Sequence, residues 1–441
     1  MTTKIVKEPL FYSKTTSLMK ITAAFYFNSK DLGREWSLDV ESQAFSGTDG
    51  NLIQIYLELK KREMPVCLLC TKLPRFKDVN SFEEKDIITS YQFCLKNKID
   101  FLIYNVKRDK LQLKLHSYAK TVLGNTKLIA WAQNTPEFNW LTSAYRCSSF
   151  YRLIAVSNVQ RYQLAHHPIF TKTIVIFNFV SNNILNQSLG NNSCLTSKVL
   201  YVGALKESKG FQHLSRAWPQ IKKNFPSATL EVCGSPGLYN ENSKLGKEGI
   251  AEKEFEKEIL DSLGGSRNSA LELGVTFLGS VPKNDLYSKI SSSCVVVVNP
   301  NTSGSIETFC VSAAEAMALQ KPVVGGAAGG LLEIIGHRIG GLLASTATEL
   351  TKNILNILHD PSMAENLGKK GRARALKFFT IENAVERWHK LINNEFITPE
   401  IDSSVSVKFI EYYLKVILRH CIPISAIASI KIIKNNIFKQ I

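Results

Sequence analysis

Apolar positions in this chain fall in short runs that recur along its length. After some twenty irregular residues, residues 19–27 form the first run, and residues 66–71, 99–105, 127–133, 153–157 and 173–177 follow. Each run has the length of a buried strand. Segments of helical length lie between them, at residues 52–62, 82–97 and 110–122. Strands that alternate with helices predict a parallel sheet covered on both faces. The stretch 181–193, rich in Asn and Ser and poor in charge, interrupts the pattern and reads as a linker. The alternation then restarts. Strands are predicted at 198–203, 229–234, 275–279, 294–299, 322–325 and 341–343, with helices at 210–224, 251–263, 283–291, 311–319 and 347–358. Residues 380–392 read as a capped amphipathic helix.

The pattern predicts an α/β chain of two doubly wound, Rossmann-like domains facing across a cleft. The boundaries it suggests are 19–180 for the first domain, 181–197 for the linker, 198–379 for the second domain, 380–397 for a closing helix and 398–441 for a basic amphipathic tail. In such sheets ligands sit beyond the carboxyl ends of the strands, so site residues are expected in the loops that follow strands.

Composition narrows the picture. A chain of 441 residues, 44% hydrophobic and 21% charged, suits two globular domains and excludes a disordered, collagenous or disulfide-scaffold protein. Its mean hydropathy of -0.04 argues against a polytopic membrane protein. No uncharged apolar run reaches the roughly 18 residues of a spanning helix, and the N-terminus does not read as a signal peptide. Nine scattered cysteines suggest a reducing compartment, and a cytoplasmic location is expected. Cys67 and Cys70 lie in an apolar run that reads as a strand, with no second pair for zinc.

Basic residues outnumber acidic ones 54 to 38, a surplus of +16 that suggests a polyanionic partner. The tail holds Lys408, Lys415, Arg419, Lys431, Lys434 and Lys439 among Ile, Leu, Val and Tyr. It reads as an interfacial helix on an anionic membrane, or as a helix packed on the first domain with solvated lysines. No zinc motif or RNP-like aromatic pattern supports a nucleic-acid partner.

The segment 299–324 carries the richest chemistry. A strand ends near Pro300, a loop with Gly304 and Ser305 follows, and a helix opens near Cys310 or Val311. Unpaired amides and the helix dipole make that junction an anion site. Glu307 precedes the helix and Glu315 lies inside it. An anion site beside two carboxylates suits a ligand that carries phosphates and hydroxyls. The alternative is a capping Glu307 and a solvated or paired Glu315. A second candidate is the strand running into Gly203, followed by Lys206, Lys209 and Gly210. A lysine there can neutralise a diphosphate, or is a solvated surface residue.

Gly203 to Lys209-Gly210, Glu307 and Glu315 followed by Ala-Met-Ala, and Lys321-Pro-Val-Val324 resemble the group 1 (family 4) glycosyltransferases of the GT-B fold. Residues 275–279, Leu286-Tyr287, residues 328–333, residues 154–158 and residues 175–178 match the family in the expected order. The similarity is good over about 150–390 and weaker over 20–150. The resemblance implies a metal-independent, retaining hexosyltransferase that makes a glycan, glycolipid or small glycoside. No cofactor is implied; a nucleotide-diphosphate sugar, with a UDP-sugar favoured, is the co-substrate. The second domain would hold the donor and the first domain a sugar or lipid-linked acceptor.

Carried over by residue, Glu307 would contact donor-sugar hydroxyls, Glu315 would hold the ribose, and Lys209 would offset the leaving diphosphate. The amides of Phe309, Cys310 and Val311 would cradle phosphates, with Gly203, Lys206 and Ser305 lining the donor site. Gly47, in the glycine loop 45–51, would approach the donor phosphates and acceptor, and Gln133 and Asn134 would make polar contacts on the acceptor side. Three positions depart from the family: Ala204 replaces an Arg, Cys310 a Gly, and Gln320 a Gly. His166 and His167 read as surface residues. An epimerase of the same fold and a sugar-nucleotide-binding protein without catalysis are the alternatives.

Overall fold

The computed structural model describes residues 20–32, 35–38, 47–75, 80–185, 197–234, 244–301 and 307–395. The tail 398–441 and most of the predicted linker lie outside the described residues. The first sheet comprises β1 (Ala23–Phe27), β2 (Val66–Cys70), β3 (Ser81–Glu83), β4 (Phe101–Asn105), β5 (Lys127–Ala132), β6 (Phe150–Ala155) and β7 (Thr173–Val175). Its order is β3-β2-β1-β4-β5-β6-β7, and every pair is parallel. The second comprises β8 (Lys198–Val202), β9 (Thr229–Cys233), β10 (Val275–Gly279), β11 (Val295–Val298), β12 (Val323–Gly326) and β13 (Gly341–Ala344), in the order β10-β9-β8-β11-β12-β13. It too is parallel throughout. Both sheets reverse direction once, between β1 and β4 and between β8 and β11. This is the doubly wound arrangement, in which a crevice opens at the reversal.

The strands form where apolar runs are buried on both faces. Val66–Cys70 is buried at every position. Burial pushes the thiols of Cys67 and Cys70 up to about 12, as expected of core cysteines. Cys294 is disulfide-bonded, which departs from the expectation of reduced thiols throughout.

Several predicted elements shift. Residue 82 does not begin a helix. Ser81–Glu83 pairs with β2, and the helix starts at Ile87, where Asp86 accepts from the amides of Ile88 and Thr89 and Thr89 bonds back to Asp86. Ser157 does not end β6; it caps the helix Asn158–Gln163. Asn182–Leu185 is helical where the Asn-rich pattern suggested irregular chain. His167 is not on the surface. It is fully buried, and its Nδ1 accepts from the Ile169 amide at 3.1 Å; His166 is half-buried.

The helix Ile381–Ile392 is capped by the Thr380 hydroxyl, and it packs on the first sheet. Its Trp388, with no exposed surface, meets Trp131 at 5.1 Å and Phe25 at 6.1 Å between ring centroids. Arg387 donates to the Val175 carbonyl, and the Val180 amide donates to the carbonyl of Phe379. One apolar cluster therefore runs from Phe25 through Trp388 to Phe309 and Val298.

Two stability predictions follow from this packing. Trp388→Ala should cost about 3–5 kcal/mol in urea denaturation, the range for deleting a buried aromatic; a loss under 1 kcal/mol would contradict the inter-domain packing described. Gln320 sits at φ +59 just beyond the helix Val311–Ala318, a conformation that glycine adopts without strain. Gln320→Gly should therefore stabilise the fold by up to about 1 kcal/mol, read as a rise in Tm.

Candidate functional site

The two loops at the β8/β11 reversal meet. β8 passes through Gly203 and Ala204 into the 3-10 turn Glu207–Lys209, which Gly210 closes at φ +73. β11 continues through Asn299, Pro300 and Asn301. A Cβ on Gly210 would stand 2.5 Å from the Asn301 backbone nitrogen. Only glycine gives both this conformation and this approach.

That approach brings Lys209 to Glu307. The Lys209 Nζ donates to Glu307 Oε2 at 2.7 Å, and Asn299 Nδ2 donates to the same oxygen at 2.9 Å. The carboxylate is 13% exposed and the lysine 29%. Tyr201 of β8 donates its hydroxyl to the Lys209 carbonyl at 3.1 Å and fixes the turn from beneath. Burial raises the Tyr201 phenol above its ordinary range, so it stays a donor.

The segment after Glu307 is clamped between the domains. The Glu307 carbonyl accepts from the Gly330 amide at 2.6 Å. A Cβ on Gly330 would lie 2.2 Å from the Thr308 carbonyl oxygen, so the two segments touch backbone to backbone. The Thr308 hydroxyl donates to the Gln133 carbonyl at 2.5 Å. The Phe309 ring stands 6.5 Å from Phe177 and 5.4 Å from Phe379.

The helix Val311–Ala318 begins at Cys310, whose side chain makes no capping bond. Glu307 is not the cap either, because its carboxylate is turned to Lys209 and Asn299. The amides of Ala313 and Ala314 bond back to the Cys310 carbonyl, which leaves those of Val311 and Ser312 ahead of the intrahelical ladder. Burial, reinforced by the Glu307 charge, pushes the Cys310 thiol up to about 12. It is a packing residue where the resemblance has glycine. Its φ of -96 shows why glycine is not required.

Glu315 is 4% exposed, so it is not a solvated face residue. Its Oε1 accepts from Lys283 Nζ at 2.9 Å and from the Tyr287 hydroxyl at 3.3 Å. The Glu315 carboxylate is the main cause that holds the Lys283 ammonium above its ordinary pKa range. Burial, then the Glu315 charge, pushes the Tyr287 phenol up to about 12. Each glutamate is thus held through one oxygen. Among the described residues, no hydrogen bond reaches Glu307 Oε1 or Glu315 Oε2.

The remaining predicted residues fall as follows. Lys206 is half-buried and precedes the 3-10 turn. Ala204 is buried, so no cation stands where the resemblance has Arg. Ser305 lies outside the described residues. Gly47 is not in a loop; it opens the helix Gly47–Lys61, and Gly50 is buried in the same turn. Gln133 offers no free amide. Its side chain is paired reciprocally with Asn178 at 2.7 and 3.2 Å, and it reaches the second domain through its carbonyl. Asn134 is exposed.

A hollow of about 460 Å³ lined by Leu113, His116 and Phe138 lies elsewhere, on the first domain. Among the described residues, no group of three or more His, Cys, Asp or Glu is placed to hold a metal.

Sequence reasoning missed Lys283, Asn299, Tyr201 and Thr308. Two of them leave a trace. Lys283 stands one helical turn before Tyr287, and Asn299 is a polar residue that closes a run of four valines.

Comparison with known proteins bears on the fold that carries this site. Residues 196–374 match the family model described as glycosyl transferases group 1. An uncharacterised glycosyltransferase of Methanocaldococcus jannaschii is 33% identical over 144 residues, covering 33% of this chain and 30% of that protein. The chain spans 30% to 58% of the length of the first curated relatives it matches. Sucrose-phosphate synthase from Thermosynechococcus elongatus superposes with a TM-score of 0.62 at 19% identity, over 85% of this chain and 98% of that one. Anabaena HepE, solved with UDP, superposes with a TM-score of 0.61 at 17% identity, over 85% and 100%. The chain has the GT-B architecture, and within it residues 196–374 are similar to the glycosyl transferases of group 1.

Proposed function

We propose that this chain is a retaining glycosyltransferase that moves a hexose from a nucleotide-diphosphate sugar to a sugar or lipid-linked acceptor. The observation that carries the reading is the Lys209–Glu307 pair, which sits at the strand-order reversal of the second sheet beside the N-terminus of the helix Val311–Ala318. A diphosphate at that reversal meets the lysine and the amides of Cys310 and Val311. The Glu307 oxygen opposite Lys209 is open to a sugar hydroxyl. Glu315, set eight residues along and backed by Lys283 and Tyr287, presents one oxygen to a ribose.

Catalysis is then largely electrostatic. Negative charge grows on the departing diphosphate, and positive charge grows on the sugar as it becomes oxocarbenium-like. A fixed cation and fixed amides on the leaving side stabilise the first, and a carboxylate beside the ring stabilises the second. These groups do not need to reorganise as the bond breaks.

HepE was solved with UDP, and a UDP-sugar is the donor favoured here. In this reading residues 19–180 face the acceptor and residues 198–379 hold the donor. The basic tail 398–441 suits peripheral contact with an anionic membrane face.

Turnover with UDP-, GDP- and ADP-hexoses tests the reading directly. At least one should be bound and hydrolysed or transferred; binding of none in calorimetry would remove it. Glu307→Ala should lower kcat about 10²–10³-fold, the cost of losing one group that stabilises the transition state, while Tm stays close to that of the native chain. Lys283→Met should weaken UDP about tenfold by leaving the buried Glu315 without its main charged partner, and Lys283→Arg should restore most of the affinity. Equal UDP affinity in all three proteins would remove Lys283 and Glu315 from the nucleotide site.

A further inference from the structure

Asn299 is a costly residue for the fold to keep. It follows Val295–Val298, each buried in the sheet, and is itself 5% exposed. Its φ is +34. That value rules out another valine, since β-branched side chains do not adopt it, and it favours glycine. Asparagine is tolerated there but adds a polar side chain to a buried site.

One half of that side chain has no partner. Asn299 Oδ1 is buried without a hydrogen bond. The amide cannot be turned over to relieve this, because Oδ1 would then face the Glu307 carboxylate that Nδ2 now donates to at 2.9 Å. A buried acceptor left unmade weakens a fold. The side chain therefore does one useful thing, which is to hold Glu307.

We infer that Asn299 is a positioning residue for Glu307. It shares Oε2 with Lys209 and so turns Oε1 toward the space where the donor sugar would lie. The inference rests on the glycosyl-transfer reading for what Glu307 does. The hold on Glu307 and the unpaired Oδ1 stand without that reading. The backbone supports the arrangement: the Asn299 carbonyl accepts from the Gly326 amide at 3.1 Å, so the position is fixed by the next strand and not by its own side chain.

The test is Asn299→Gly, which suits the backbone and deletes the amide, compared with Asn299→Asp, which keeps the shape and sets a second carboxylate against Glu307. With the best donor of the hexose panel, Asn299→Gly should lose about tenfold or more in kcat, the scale of one charge-assisted hydrogen bond. UDP affinity should change less than twofold, and Tm should match or exceed that of the native chain. Asn299→Asp should lose kcat as well, because it removes the amide donor and sets a carboxylate that repels Glu307 in its place. Lys209 is the other charged group facing that pair among the described residues, with the neutral Cys310 thiol and Tyr201 phenol at greater remove, and neither variant alters them.

Native kcat in Asn299→Gly would overturn the inference and leave the glycosyl-transfer reading intact. If the native chain turns over no donor, that reading falls, and Tm still judges Asn299. A rise or no change on substitution by glycine fits a side chain kept at the expense of stability; a fall of several degrees makes it an ordinary structural residue and overturns the inference.

Discussion

Two loops that leave neighbouring strands in opposite senses have to come within backbone contact of one another, and the candidate site depends on that contact. At the β8/β11 reversal the chain would ordinarily diverge to opposite faces of the sheet. Gly210 lets it stay, because no side chain stands between it and Asn301. The approach sets Lys209 2.7 Å from Glu307. A partly buried ion pair roughly breaks even between attraction and lost hydration, so stability alone does not account for it. Tyr201 below the lysine turn, Gly330 behind Glu307 and Thr308 across the domain boundary all hold the two charges in place. That amount of support makes sense for a pair that has to act on a third group.

The same segment joins the two halves. Thr308 and Phe309 reach the first domain immediately after Glu307, and Glu333 does so from the short helix Leu331–Ile335. The Glu333 carboxylate is 1% exposed and accepts from Asn158 Nδ2 at 2.6 Å and from the Val159 amide at 3.2 Å. Burial raises its pKa, and the cluster of donors from the first domain keeps it satisfied. The other union, through Trp388, lies on the helix that returns to the first sheet. Between them, the contacts adjacent to the site couple any change in domain spacing to the position of Glu307.

Most of the strands were legible because each is a buried apolar run, and a run does not depend on its neighbours to be seen. The strand-order reversal was implied by alternation alone. The spacing of Glu307 and Glu315 marked the site, since both lie on one continuous segment. What escaped notice needed partners from far along the chain. Lys283 meets Glu315 across 32 residues, and Thr308 meets Gln133 across 175. The helix Pro361–Phe378 went unseen because Gly368 and Gly371 dilute its helical pattern. They are there so that the helix can lie against Gln320 and Gly340, where a Cβ at either would crowd the backbone. Gln133 reads from the sequence as a polar contact on the acceptor side, and only Asn178, 45 residues on, shows that its amide is spent.

Charge completes the argument. The chain has a surplus of +16, yet two lysines at the site face carboxylates, Lys209 on Glu307 and Lys283 on Glu315. These two pairs are each neutral, and part of the surplus lies elsewhere, with Lys110, Lys114 and Lys120 exposed along one helix of the first domain. Neutral pairs suit a ligand that brings both kinds of partner. In the glycosyl-transfer reading, sugar and ribose hydroxyls donate to the glutamates while the diphosphate draws on the lysines. The charges are exchanged between protein and ligand, and none has to be buried alone. An unpaired lysine cluster would attract phosphate more strongly but hold every phosphate alike. Pairing each cation with a hydroxyl acceptor ties recognition of the diphosphate to recognition of the sugars on either side of it.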